Sequence, residues 1–340
     1  MKAALYAGLK TLSVEELPIR KINDNDIIIK VGACGVCGTD FHIFNGEAPA
    51  KVPVVIGHEF AGEVVETGKN SSDFNIGDKV VVDPNIPCGY CSFCREGKTN
   101  LCENLKALGV TINGGMAQYS AVPQRQAYHL PNSFPINQAI FAEPLSCCIH
   151  GIDQANINIG NTVAVLGMGT IGLLMIQLAR MRGALKIISI DPIEAKCKIA
   201  ENLYVDFTLN PESKYFASDF ENISSGGADV VIECVGNKSA AELAFKLVKP
   251  GGTVVIFGLA DPNAAISLNL QSFFHKELTV KGSLLNPFTF QTAVDLLISK
   301  KIRMDVFNPF TIPLQAESLD SLFSKERDKT IIKYMVVPGE

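Results

Sequence analysis

Between residues 162 and 257, apolar runs of strand length alternate with stretches of helical pattern. The runs 162–166 (TVAVL), 186–190 (KIISI), 230–232 and 253–257 read as strands. Residues 171–181, a segment from about 193, and 239–248 read as helices, and Pro250-Gly251-Gly252 reads as the turn into the last strand. Strands buried on both faces and joined by helices predict a doubly wound α/β fold, a parallel sheet with helices on both sides. Gly167-Met168-Gly169-Thr170-Ile171-Gly172 stands at the first strand-to-helix junction and fits G-x-G-x-x-G. Alone that pattern matches many loops, and a plain tight turn is the ordinary reading. Between an apolar strand and an apolar helix the three glycines have distinct roles. The first allows a tight turn, the second lets the backbone approach a pyrophosphate, and the third lets the helix pack closely on the strand.

That junction predicts a dinucleotide with its phosphates on the N–H groups that open the helix, from Gly167, Gly169, Thr170, Ile171 and Gly172. Asp191 ends the next strand, 19 residues past Gly172. A carboxylate there can bond both ribose hydroxyls of NAD and repel the 2′-phosphate of NADP. Two unit charges about 4 Å apart interact by up to roughly 4 kcal/mol at an effective dielectric near 20, and half of that favours NAD more than tenfold. An acidic helix cap before Pro192 is the plainer reading of Asp191.

The rest of the chain is different in texture. Residues 1–150 carry short β-branched runs (26–31, 62–66, 79–82) separated by Gly, Pro, Asn and Asp, which predicts a β-barrel-like domain. After residue 284 the pattern is mixed, with a helix near 290–299 and a final strand around 331–337. At 340 residues, 47% hydrophobic and 19% charged, the chain has apolar surface for two cores and is not a disordered polypeptide. A net charge of −5 argues against nucleic-acid binding and against docking on anionic lipid. The uncharged stretch between Asp153 and Arg180 is long enough for a membrane span, but its asparagines and glycines punctuate a strand–turn–helix instead. The N-terminus reaches Glu15 and Glu16 before any long apolar run, so it does not read as a secretion signal. Clustered cysteines in such a chain predict a reducing cytoplasm and metal ligation rather than disulfides.

Cys88, Cys91, Cys94 and Cys102 follow C-x2-C-x2-C-x7-C. Four thiolates in one short loop suit tetrahedral zinc, and a fully occupied ligand set makes the site structural. An iron–sulfur cluster is the rival, but bacterial ferredoxins continue with x3 and then Cys-Pro, which is absent. A nucleic-acid zinc ribbon is a further reading; Arg95, Lys98 and Lys106 are opposed by Glu96 and Glu103.

Three other segments carry metal-binding side chains: Gly35-Val36-Cys37-Gly38-Thr39-Asp40-Phe41-His42, Gly57-His58-Glu59 and Phe141-Ala142-Glu143-Pro144-Leu145. Spacing alone does not show that they meet, and it leaves His58 as a core histidine and Cys37 as an ordinary cysteine. Together with the four-cysteine lobe and the fingerprint, however, they resemble the zinc-dependent medium-chain dehydrogenase/reductase superfamily, over essentially the whole chain and in the family's order. Glu143-Pro144-Leu145-Ser146 is most similar to the polyol (sorbitol-type) dehydrogenase branch. Threonine dehydrogenases usually have Asp-Pro here, and liver-type alcohol dehydrogenases a Cys.

The resemblance implies two zinc ions per chain and NAD. Cys37, His58 and Glu59 become ligands of a catalytic zinc, and Glu143 a fourth ligand or the holder of a water beside it. Neighbouring side chains on an extended strand point to opposite faces, so His58 and Glu59 share one metal only if the backbone turns, which Gly57 permits. Thr39 and His42 become a proton relay; otherwise they are a turn residue and a surface histidine. Val235, Phe257, Gly258, Ser283 and Leu284 fall at strand ends near the nicotinamide. The implied fold is a GroES-like β-barrel catalytic domain (1–150 and 286–340, with the zinc lobe 88–102) and a Rossmann NAD-binding domain (151–285), with the active site in the cleft between them. The implied reaction oxidises a secondary alcohol or polyol to a ketone or ketose, in a homotetramer or homodimer.

Three positions depart from the animal sorbitol enzymes. Ile43, Leu285 and Asn286 stand where those have Tyr, Arg and Tyr, and Leu cannot donate a hydrogen bond to a sugar hydroxyl. A shorter polyol, a vicinal diol or a simple secondary alcohol therefore becomes more credible. Threonine and butanediol dehydrogenases are the rival enzymes, galactitol-phosphate dehydrogenases a related branch, and a non-catalytic zinc or nucleotide sensor the rival of another class. Cys147, Cys148, Cys197 and Cys234 read as buried small hydrophobes.

Overall fold

The computed structural model describes residues 1–325 and 327–339. They divide into two compact units. One comprises Met1–Ser146, Pro287–Met304 and the described residues from Asn308 onward; the other comprises Cys147–Asn286 with Asp305–Phe307.

The first unit is built on β-structure. Its seven-stranded sheet runs Ala127–His129, Lys79–Val82, Glu59–Thr67, Asp26–Val36, Tyr334–Val337, Phe310–Pro313, with Tyr119–Pro123 also paired to Asp26–Val36. Every pairing is antiparallel except the last, Phe310–Pro313 with Tyr334–Val337. Ile27, Ile29, Val31, Phe60, Val64, Val80 and Val82 interdigitate in its core. Each large apolar side chain removed from water there contributes roughly 1.5–3 kcal/mol. The long strand Asp26–Val36 positions the site: Gly35 pairs with Glu59 on one side and with Met335 on the other. The final strand starts at Tyr334, three residues later than the sequence pattern suggests.

The second unit is a six-stranded, all-parallel sheet in the order Phe207–Leu209, Lys186–Ile190, Thr162–Leu166, Ala228–Glu233, Val248–Ile256, Thr279–Gly282. In chain order that is 3-2-1-4-5-6, the doubly wound arrangement, and it reverses direction between Thr162–Leu166 and Ala228–Glu233. The helices Thr170–Met181, Glu194–Glu201 and Lys238–Leu247 fall where the apolar periodicity puts them. The Pro250-Gly251-Gly252 turn is found inside a strand. Pairing jumps from Ala228↔Val248 to Val230↔Thr253, so the turn survives as a bulge with Gly251 at φ +76°. Cys148 and Cys197 are buried as expected, whereas Cys147 and Cys234 are only part-buried. No described helix is long and apolar enough to cross a membrane.

Candidate active site and metal centres

The cysteine lobe lies in the first unit. Cys91 opens the short helix Ser92–Arg95, Cys102 follows the turn Thr99–Leu101, and Gly89 and Gly97 adopt positive φ between them. All four Sγ atoms lie within 4.8 Å of one another. Cys88 and Cys94 sulfurs are 4.0 Å apart. Sulfurs bound tetrahedrally at about 2.3 Å would stand about 3.8 Å apart, so the set fits zinc. Backbone N–H groups of Tyr90 and Cys91 pull the Cys88 thiol down to about 6, while burial pushes Cys94 up to about 12. No disulfide joins any of the ten cysteines.

A second cluster joins residues distant in sequence. Cys37, His58 and Glu59 each offer a ligand atom, all within 4.8 Å of one another. Cys37 is the cap of the helix Gly38–Phe44, just past the strand Asp26–Val36. Gly57 turns at φ +92°, and a Cβ there would stand 2.5 Å from the Met116 side chain and 2.7 Å from Cys34 Sγ. That bend lets two consecutive side chains face one point. Asp40, fully buried, accepts from the Cys37 N–H at 2.8 Å through Oδ2. Its Oδ1 is 3.5 Å from His58 Nδ1, an ion-pair contact rather than a well-made hydrogen bond.

Lys333 completes the cluster from the far end of the chain. It is 4% exposed and its Nζ is ion-paired with Glu59 Oε2. The pair fills the gap left by Gly35, where a Cβ would collide with the Glu59 carboxylate and the Lys333 stem. Burial would lower the Lys333 ammonium, but Glu59, Cys37 and Glu143 outweigh it and hold it above the ordinary value. Burial would likewise lower His58, and Asp40 and Cys37 hold it well above the imidazole range. A pocket that draws positive charge onto its own histidine and lysine is rich in anionic donors, and this donor set fits a divalent cation. Glu143, 6% exposed, stands in electrostatic reach of Lys333 but outside the set of three. Thr39 Oγ1 accepts from the Cys37 thiol at 3.6 Å. His42 is half-buried, with Nδ1 2.7 Å from Glu47 Oε2.

In the second unit the three fingerprint glycines differ as the motif requires. Gly167 has φ +91°. A Cβ on Gly169 would meet no atom within 4 Å, which leaves open space for a ligand against the backbone. A Cβ on Gly172 would collide with the Gly167 carbonyl. Asp191, 5% exposed, accepts from Met168 N at 2.7 Å and Ile193 N at 2.8 Å, one bond to each carboxylate oxygen. An ionised carboxylate has about four acceptor sites, so capacity for ribose hydroxyls remains. A cavity of about 700 Å³ is lined by Gly167, Gly169, Asp191, Lys196 and Val235, among others. Thr170, Ile171, Gly172, Phe257, Gly258, Ser283 and Leu284 do not line it. Phe257 and Ser283 each follow the carboxyl end of a strand of the same sheet, and Ser283 Oγ is buried without a hydrogen-bond partner.

Residues 23–132 match the alcohol dehydrogenase GroES-like domain, and residues 170–299 match the zinc-binding dehydrogenase family. A D-arabinitol dehydrogenase of Uromyces fabae is 32% identical over 98% of this chain and 97% of its own. A sorbitol dehydrogenase of Halalkalibacterium halodurans is 34% identical over 96% of both chains. A proposed zinc-binding dehydrogenase of Sinorhizobium meliloti 1021, solved bound to NADP, superposes with a TM-score of 0.93 at 38% identity over 99% of both chains. The chain belongs to the zinc-binding dehydrogenase family. This dehydrogenase therefore pairs a doubly wound parallel sheet with a GroES-like domain, and its class of chemistry is NAD(P)-dependent oxidation of an alcohol or polyol.

Three buried charged residues of the dehydrogenase escape a reading of its motifs. Asp40 had a signal, its place three residues after Cys37 in a capping-box spacing. Lys333 had only a faint one, a lone charge in the apolar run IIKYMVV. Glu233 ends a Rossmann strand with no local mark.

Proposed function

We propose that this chain is a zinc-dependent polyol dehydrogenase that prefers NAD over NADP. The observation that carries the reading is the cluster of part-buried Cys37 with buried His58 and Glu59, three ligands balanced by Lys333. Three ligands leave a tetrahedral ion one open position, whereas the four thiolates of the lobe leave none. We assign the first unit the catalytic role and the second the dinucleotide, with domain limits of 1–150 and 286–340 against 151–285.

Zinc held by Cys37, His58 and Glu59 would act as a Lewis acid on a substrate hydroxyl, with NAD as hydride acceptor. Asp40 accepts from the Cys37 backbone and faces His58 with its charge, so it fixes the first ligand and biases the second electrostatically. Lys333 holds the Glu59 carboxylate. The Thr39 hydroxyl, 3.6 Å from the Cys37 sulfur, supports a role in passing a proton on. His42, with Nδ1 committed to Glu47, keeps its other ring nitrogen to receive one. Glu143 contributes charge and a hydrogen-bond acceptor near Lys333. Asp191 supports the preference for NAD, and the NADP-bound relative makes that preference worth direct measurement.

Self-association as a homodimer or homotetramer is supported by apolar surface in the second unit. Leu270 is 80% and Phe274 75% exposed, and every residue of the edge strand Thr279–Gly282 is exposed. Ten cysteines without a disulfide support a cytoplasmic location.

The test is reduction of NAD⁺ by zinc-replete protein, followed as NADH absorbance over sorbitol, xylitol, galactitol, L-threonine, butane-2,3-diol and propan-2-ol, each repeated with NADP⁺. Turnover of a polyol with NAD⁺ is expected. Turnover of threonine or a simple secondary alcohol alone would overturn the substrate class. A preference for NADP⁺ would overturn the role of Asp191.

A further inference from the structure

Glu233 is 1% exposed and sits where the strand order of the parallel sheet reverses. It is the last residue of Ala228–Glu233, paired with Leu166 on one side and Ile256 on the other. No described cation forms an ion pair with it. Its carboxylate is met by backbone amides instead: Oε1 accepts from Val235 N at 2.7 Å and from Gly236 N at 2.8 Å. Its own carbonyl accepts from Phe257 N and Gly258 N, both at 3.0 Å. One residue thus ties together the tips that follow two neighbouring strands.

Those tips are in backbone contact. Gly236 has φ +78°, and a Cβ on it would collide with the Leu259 carbonyl; a Cβ on Gly258 would collide with the Gly236 nitrogen. Val235 then leans over the fingerprint, with Cγ2 only 2.7 Å from where a Cβ on Gly167 would stand. Val235 is 46% exposed and lines the cavity with Gly167, Gly169 and Asp191. Burial pushes the Glu233 carboxyl up, and the amides of Gly236, Val235 and Gly258 pull against that. A buried carboxylate without a cation is a costly brace for a turn, which an apolar residue and a different loop would supply more cheaply. It is explained if the position of the Val235–Gly236 tip matters to a ligand.

We infer that Glu233 is a positioning residue for the dinucleotide: its carboxylate holds the Val235–Gly236 tip over Gly167, so the cavity wall is formed before the pyrophosphate and its neighbouring ribose arrive. The inference rests on the dinucleotide reading of this cavity. Removing the carboxylate leaves two amides of the tip without their acceptor and frees Val235 to move.

The test is NADH binding by the full-length, zinc-replete protein, read as enhancement of NADH fluorescence. The chain has no tryptophan, so the signal belongs to the nucleotide. Glu233→Ala should weaken NADH binding about tenfold or more, since each orphaned amide is costly. The KM for NAD⁺ should rise in parallel while the KM for the alcohol moves less than about threefold. Zinc per chain should not change. Glu233→Gln keeps an acceptor oxygen and should restore binding to within about threefold of wild type. If Glu233→Ala does not fold, Glu233→Gln is read beside Gly236→Ala, which moves the tip and leaves the carboxylate in place. Gly236→Ala should then weaken NADH at least as much as Glu233→Ala was expected to. A lower melting temperature with unchanged NADH affinity would reduce Glu233 to a structural brace and overturn the inference. So would unchanged affinity in Gly236→Ala. Wild type that binds neither NADH nor NADPH would overturn the functional reading itself, whereas equal binding by wild type and Glu233→Ala overturns only the positioning role.

Discussion

The two metal-ligand sets of this dehydrogenase are built in opposite ways. The lobe draws Cys88, Cys91, Cys94 and Cys102 from one loop, with turns and backbone amides that shape it locally. The mixed cluster draws Cys37, His58 and Glu59 from two segments and its countercharge from Lys333 near the other end of the chain. Locality suits a site that only has to hold a loop together. A reacting site instead needs an open position and a tuned charge, and the cluster proposed for that role is gathered where three strands end side by side. The contrast is one of ligand number and origin: four thiolates from one loop fill a tetrahedral ion, and three side chains from separate segments leave one position open.

The comparison breaks first, and most visibly, at His58. His58→Ala is expected to lower kcat/KM at least about a thousandfold, because a Lewis acid supplies several kcal/mol to the barrier. Steady-state kinetics on protein of measured zinc content checks it. A loss below about tenfold would remove His58 from the reacting site.

Asp40→Asn should cost less, about 10–100-fold in activity or in metal affinity, as expected for a residue that orients ligands without being one. The amide keeps an acceptor for the Cys37 N–H but loses the charge that faces His58. Competition with a chelator gives the affinity. Equal losses from Asp40→Asn and His58→Ala would mean that Asp40 is itself a ligand.

The smallest effect on turnover belongs to the lobe. Cys91→Ser should lower the melting temperature by about 10 °C, since structural zinc binding is folding free energy. The kcat of the protein that remains folded should stay within about threefold of wild type. Thermal denaturation and kinetics on one preparation separate the two. A catalytic loss comparable to that of His58→Ala would erase the distinction between the sites.

What could be read from the residues follows the same division. The lobe and the Gly167–Gly172 fingerprint are short, so spacing carries their chemistry, and the glycines do what their positions imply. The alternation of strand and helix from residue 162 has a matching periodicity because the sheet is buried on both faces. His58 and Glu59 were ambiguous because period-2 reasoning sends neighbours to opposite faces; the bend at Gly57 resolves it. Lys333 was legible only as a lone charge in an apolar run, since its meaning comes from the register Gly35↔Met335 and Gly35↔Glu59 across three strands. Glu233 was hidden for a related reason: its partners are backbone amides, which every residue but proline offers. Leu285, expected to shape the substrate pocket, adopts φ +56°, a conformation bulky side chains rarely take.

The most direct measurement is zinc per chain and NAD⁺-dependent turnover on the same samples of wild type and Cys37→Ser. The expected result is two zinc ions and polyol oxidation in wild type, against one zinc ion and no turnover in Cys37→Ser. Two zinc ions retained in Cys37→Ser, or turnover that persists with one, would contradict a catalytic metal on Cys37, His58 and Glu59.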